Sequence, residues 1–148
     1  MPDPKQKITV ADIIAVMQAV APAELAEPWD SVGLQVGDPQ SPVTAVLLTL
    51  DVTAEAVRLA QESNSALIIS HHPLIFNPLT TLCRDNPHQG LIMSLVERQI
   101  SVLAAHTNLD ATEGGVADCL ADRLTGILSS AGCSRAAIQG SVTACGRL

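Results

Sequence analysis

Ala66-Leu67-Ile68-Ile69-Ser70 runs without a break into His71-His72-Pro73. A short apolar run of this length, bounded upstream by the polar Ser63-Asn64-Ser65, reads as a strand. The two histidines therefore stand at its carboxyl end. Two further runs flank it. Residues 43–50 are an apolar stretch that ends at Asp51 and reads as a buried strand, and Ser101-Val102-Leu103-Ala104-Ala105 leads into His106-Thr107-Asn108-Leu109-Asp110.

Helical signals fill the intervals. Thr9 with Asp12 reads as a capping box, and Val10, Ile13, Met17 and Val20 follow at helical spacing up to a stop near Pro22. Thr53 caps a helix running to about Glu62, and Asn86-Pro87 opens one carrying Leu91, Ile92, Leu95 and Val96. Gly114-Gly115 precedes a last helix with Val116, Cys119, Leu120 and Leu124. Residues 24–37 read as a loop, with Gly33 supplying a positive φ. Order fades after Gly126. Strands alternating with helices at this spacing imply an α/β fold, a mainly parallel sheet flanked by helices on both faces. In such sheets functional residues collect beyond the carboxyl ends of the strands, where Asp51, His71, His72 and the 106–110 segment all fall.

Composition narrows the function. Of 148 residues 47% are hydrophobic, yet Trp29 and Phe76 are the only large aromatic residues, so aliphatic side chains must fill the core. The formal net charge is −7 and the eight Lys and Arg are scattered, which disfavours direct nucleic-acid binding. Cys83, Cys119, Cys133 and Cys145 show neither close-paired metal spacing nor the density of a disulfide scaffold, and read as reduced thiols. Without a signal-like start or a bilayer-length apolar run, a cytoplasmic location away from membranes is expected.

Imidazole and carboxylate are the usual ligands of zinc, manganese and iron, so His71, His72 and Asp110 form a candidate metal-binding set. Pro73 favours an extended His72, which turns the two rings apart and suits two neighbouring ions, one per ring. His106 could be a ligand, an orienting partner of a ligand or a packed core residue, and the orienting role is favoured. Ser70 and Asn108 either orient imidazoles or cap loops. Asp30 could bond a substrate or a bound water, or simply belong to a turn with Trp29. His88 is expected to face solvent without a function.

Together, Glu27-Pro28-Trp29-Asp30-Ser31-Val32-Gly33-Leu34-Gln35-Val36-Gly37, Leu50-Asp51-Val52-Thr53, Ile69-Ser70-His71-His72-Pro73-Leu74 and His106-Thr107-Asn108-Leu109-Asp110 with Gly114-Gly115 resemble the NIF-three-like family. Its members are dinuclear metal-centre hexameric proteins, also called GTP cyclohydrolase I type 2 homologues. The resemblance implies two divalent ions (zinc, manganese or iron) held by His71, His72 and Asp110. It also implies a homohexamer and a two-half α/β sandwich with the metals in the cleft.

The family pattern has a later histidine and glutamate four residues apart, the glutamate bridging both ions. Here no histidine follows His106 and no glutamate follows Glu113, while Cys145-Gly146-Arg147-Leu148 resembles the turn before the family's second half. Residues 1–148 are therefore expected to be one metal-binding domain, the first half of such a protein. Two functions suit it: metal-dependent hydrolysis of a nucleotide-like small molecule, or a non-enzymatic, oligomeric metal-binding scaffold.

Overall fold

A computed structural model describes residues 7–130. The expectations for Cys133, Cys145 and the turn at 145–148 lie outside the described residues. Helix α1 (Val10–Val20) starts on the expected capping box: the Thr9 amide donates to Asp12 Oδ2 at 2.8 Å and the Asp12 amide to Thr9 Oγ1 at 3.4 Å. A short 3-10 turn, Ala23–Leu25, follows. Strand β1 (Gly33–Val36) lies inside the stretch read as a loop. Then come β2 (Val46–Thr49), α2 (Ala54–Glu62), β3 (Leu67–Ser70), α3 (Pro87–Glu97) and β4 (Ser101–Ala104). Two helices close the series, α4 (Thr107–Ala111) and α5 (Val116–Ser130).

The four strands form one sheet in the order β1-β4-β3-β2. β2, β3 and β4 run parallel in continuous register, but β1 is antiparallel to β4, so the sheet is mixed rather than mainly parallel. β1 escapes the sequence because it lies in a stretch of proline, polar and glycine residues, with Gly33 and Gly37 at its boundaries. Both glycines serve the strand. Gly33 has φ +95°, and at Gly37, φ +118°, a Cβ would run into the Ser101 side chain of the neighbouring strand.

Val36, Ile68 and Val102, aligned across three strands, form one core with Val57 and Ala60 of α2 and Ile92 and Leu95 of α3. Each of these Val, Ile and Leu side chains contributes about 1.5–3 kcal/mol by leaving water. β4 is buried at every position. β2 departs from the expectation of a buried strand: its exposed and half-buried residues alternate, and Leu48 is 73% exposed. An apolar run specifies a strand, whereas burial on both faces also requires neighbours. β2 is the sheet edge, and its Val46 and Leu48 lie on the face opposite α2 and α3.

Candidate metal centre

The parallel register brings Ser70 of β3 level with Ala104 of β4, so both strands deliver their next residues to one place. The backbone continues the pairing for a step: the Ala105 amide donates to Ser70 O at 2.9 Å, and the His71 and His72 amides to Thr49 O and Leu50 O at 3.1 and 2.9 Å. Three imidazoles then meet. One ring nitrogen from each of His71, His72 and His106 lies within 4.8 Å of the other two, and the ring centroids are 5.1 Å (71–72), 5.1 Å (71–106) and 5.7 Å (72–106) apart.

Each ring has an oxygen partner on Nδ1. The partners are Ala105 O for His71 at 3.1 Å, Asp51 Oδ1 for His72 at 2.7 Å and Asp30 Oδ1 for His106 at 2.9 Å. A carbonyl or carboxylate can only accept, so Nδ1 carries the proton and the neutral ring keeps its lone pair on Nε2. That is the tautomer a metal-ligating histidine takes. Asp110 approaches the same ring system from α4, with Oδ1 3.7 Å from His71 Nε2.

Asp30 is the anchor of this arrangement. Its side chain is 0% exposed, and four donors converge on it: His106 Nδ1–H and the Ser31 amide on Oδ1, the Thr107 amide and hydroxyl on Oδ2. Burial pushes its pKa up, but the bonds from His106, Thr107 and Ser31 outweigh that and lower it from 3.8 to about 2. The turn that presents Asp30 has Pro28 in its second position and closes with the Asp30 amide on Glu27 O at 2.9 Å.

The structure thus brings His106 together with His71 and His72, while Asp110, the third residue the sequence suggests, comes within 3.7 Å of His71 Nε2 and is not one of that trio. The 106–110 segment is not a plain strand-to-loop exit: His106 is the residue before α4, and its carbonyl accepts from the Asp110 amide at 3.1 Å, one turn on. Asp51 was legible only as a residue at a strand end and Asp30 only as a loop residue that could bond a substrate or a bound water, since neither partner histidine is close in sequence. Ser70 and Asn108 hold the loops. Ser70 Oγ donates to His72 O at 2.9 Å, and Asn108 accepts from the His106 amide and donates to Ala21 O at 2.7 Å. His88, although exposed, spends its Nε2 on Leu74 O at 2.7 Å. Cys83 and Cys119 are free thiols.

Among the described residues no helix is long and apolar enough to cross a membrane. The family described as Duf34/NIF3 (NGG1p interacting factor 3) matches residues 8–132. A curated relative from Clostridium perfringens, called GTP cyclohydrolase 1 type 2 homolog, is 41% identical over 113 residues, covering 76% of this chain and 43% of that protein. A relative of the same name from Listeria innocua is 44% identical over 110 residues, 74% of this chain and 30% of that protein. The solved structure of a Bacillus cereus protein related to NIF3 superposes with a TM-score of 0.78 at 40% identity, covering 82% of this chain and 33% of that one. The chain therefore spans less than half the length of these relatives.

Proposed function

The chain belongs to the Duf34/NIF3 family, and from that premise we propose that it is a metal-binding protein whose His71, His72 and Asp110 hold two divalent cations, zinc, manganese or iron. The observation that carries the proposal is the tautomer. All three clustered imidazoles give Nδ1 to an oxygen and so keep Nε2 as a free donor. Neutral nitrogen donors beside a carboxylate are the ligand set these metals take. His106 stands close enough to join it.

A bound divalent cation would supply Lewis acidity toward a substrate oxygen and make a water more acidic. The chain's own residues do the rest. Asp30 fixes the plane of His106 and Ala105 O that of His71, while the exposed Asp51 orients His72 more loosely, so two of the rings are held before anything binds. The chemistry proposed for the site is hydrolysis of a nucleotide-like substrate, as the name of the relatives suggests. A second reading, an assembled and non-enzymatic homo-oligomeric scaffold, draws on the open aliphatic residues Leu48 and Leu50 of the sheet edge.

Metal analysis after reconstitution tests the proposal. Two ions per subunit are expected in a full-length version that also carries the family's later histidine and glutamate, and a His71→Ala, His72→Ala double variant of it should lose them. Unchanged metal in that variant, or none in the parent, overturns it. Asp110→Ala should lose more metal than His106→Ala; equal loss would make His106 a ligand of the same rank. Turnover of a nucleotide panel by the loaded protein separates hydrolase from scaffold.

A further inference from the structure

The two large aromatic residues of the chain are both at this site and both face outward. Trp29 is 59% exposed and Phe76 46% exposed. Their ring centroids are 6.0 Å apart at 51°, and Trp29 stands edge-on to His106 with centroids 6.4 Å apart. A chain that builds its interior from aliphatic residues has thus left its largest apolar side chains in water, touching each other and the histidine cluster. Scattered exposed apolar residues are ordinary, but a convergent aromatic pair beside a polar cluster is the composition of a ligand site.

Both backbones are pinned. Phe76 follows Ile75, whose amide donates to Gln35 Oε1 at 2.9 Å and whose carbonyl accepts from Gln35 Nε2 at 3.1 Å and Ser31 Oγ at 2.9 Å. The side-chain amide of Gln35 therefore clamps Ile75 as a neighbouring strand would. One residue earlier, Leu74 O takes the His88 ring. Trp29 sits in the proline turn beside the buried Asp30. Rings on a backbone fixed in advance lose little freedom when a ligand arrives.

Resting on the metal-site reading above, we propose that Trp29 and Phe76 form a stacking wall for a flat heteroaromatic ring, so that the site takes a substrate of the nucleotide class by its base. An indole offers a broad π face to any base, and such stacking is worth about a tenfold or greater change in affinity per ring. His106 links the two groups, since its ring contacts Trp29 of the wall and also His71 and His72. A base on Trp29 would leave its sugar and phosphate to extend toward the histidines.

Because Trp29 is the single tryptophan, its fluorescence reports the wall alone. The 148-residue chain, metal-loaded and chelated in parallel, is titrated with guanosine monophosphate and with ribose 5-phosphate as a ring-free control. Saturable quenching by the nucleotide and none by the control is expected. Equilibrium dialysis should show about tenfold weaker nucleotide binding in Trp29→Leu, a smaller loss in Phe76→Leu and retention in Trp29→Phe. Metal content measured on the same samples should not change. Absence of quenching in both forms, or ribose 5-phosphate binding as tightly as the nucleotide, overturns the wall. Metal bound without nucleotide binding overturns the wall alone, and quenching by a chain that takes up no metal on reconstitution overturns the metal reading and keeps the wall. If Trp29→Leu does not fold, quenching in the unsubstituted chain still decides.

Discussion

His106–Asp30 and His72–Asp51 are the same chemical pair at almost the same distance, 2.9 and 2.7 Å, on two sides of one cluster. Their surroundings differ. The Asp30 side chain is out of contact with solvent and accepts from four donors, whereas the Asp51 side chain is 56% exposed. Solvent competes for Asp51 and screens it; nothing but protein answers Asp30. Identical geometry therefore means structural anchorage on one side and adjustable orientation on the other.

The largest effect expected from breaking this contrast is on stability. Asp30→Ala strands the His106 ring and the Thr107 amide and should cost about 3 kcal/mol, while Asp51→Ala should cost less than about 1 kcal/mol. Urea denaturation of both variants checks it, and equal costs would mean that burial does not separate the pairs. Metal affinity should next discriminate the exposed pair: Asp51→Asn should weaken binding about 10- to 100-fold with the unfolding midpoint unchanged, as titration against a competing chelator would read.

Acid sharpens the comparison further. The folded pKa of Asp30 is lowered to about 2, so its contribution to stability is complete above the ordinary carboxylate range and disappears as the pH falls through about 2. Unfolding midpoints followed from pH 5 to pH 2 should fall less steeply in Asp30→Asn than in the parent; parallel curves would contradict this. The smallest effect lies far from the cluster. Leu48→Ser on the open side of β2 should change stability by no more than about 0.5 kcal/mol, which thermal melting can measure.

Much of this molecule was legible before any coordinates. The capping box at Thr9, the three parallel strands and the delivery of His71, His72 and the 106–110 segment to one sheet edge follow from local pattern and from the rule that parallel strands bring their carboxyl ends together. What escaped depends on partners distant in sequence. β1 is a strand because β4 accepts it, and its Gln35 holds Ile75 forty residues away. Asp30 is 76 residues from His106, so no spacing rule joins them. The openness of β2 was hidden for the opposite reason, because its aliphatic run resembles that of β3 and only sheet position distinguishes them.

The antiparallel docking of β1 on β4 also sets a timetable. Among the described residues the pair joins the first strand to the last, and Asp30 and His106 lie just outside its two members. Closing so long a loop carries the largest entropic cost in the sheet, and contacts of large sequence separation form slowly. His71 and His72 can be in register while β2 and β3 pair, long before the third imidazole is held. A chain leaving the ribosome would thus pass through a period with two histidines presented and the third free, and the complete cluster would mark the end of folding rather than its seed. Tryptophan fluorescence during refolding, read beside Trp29 and His106, should recover in the slowest phase; recovery in the earliest phase would reverse that order.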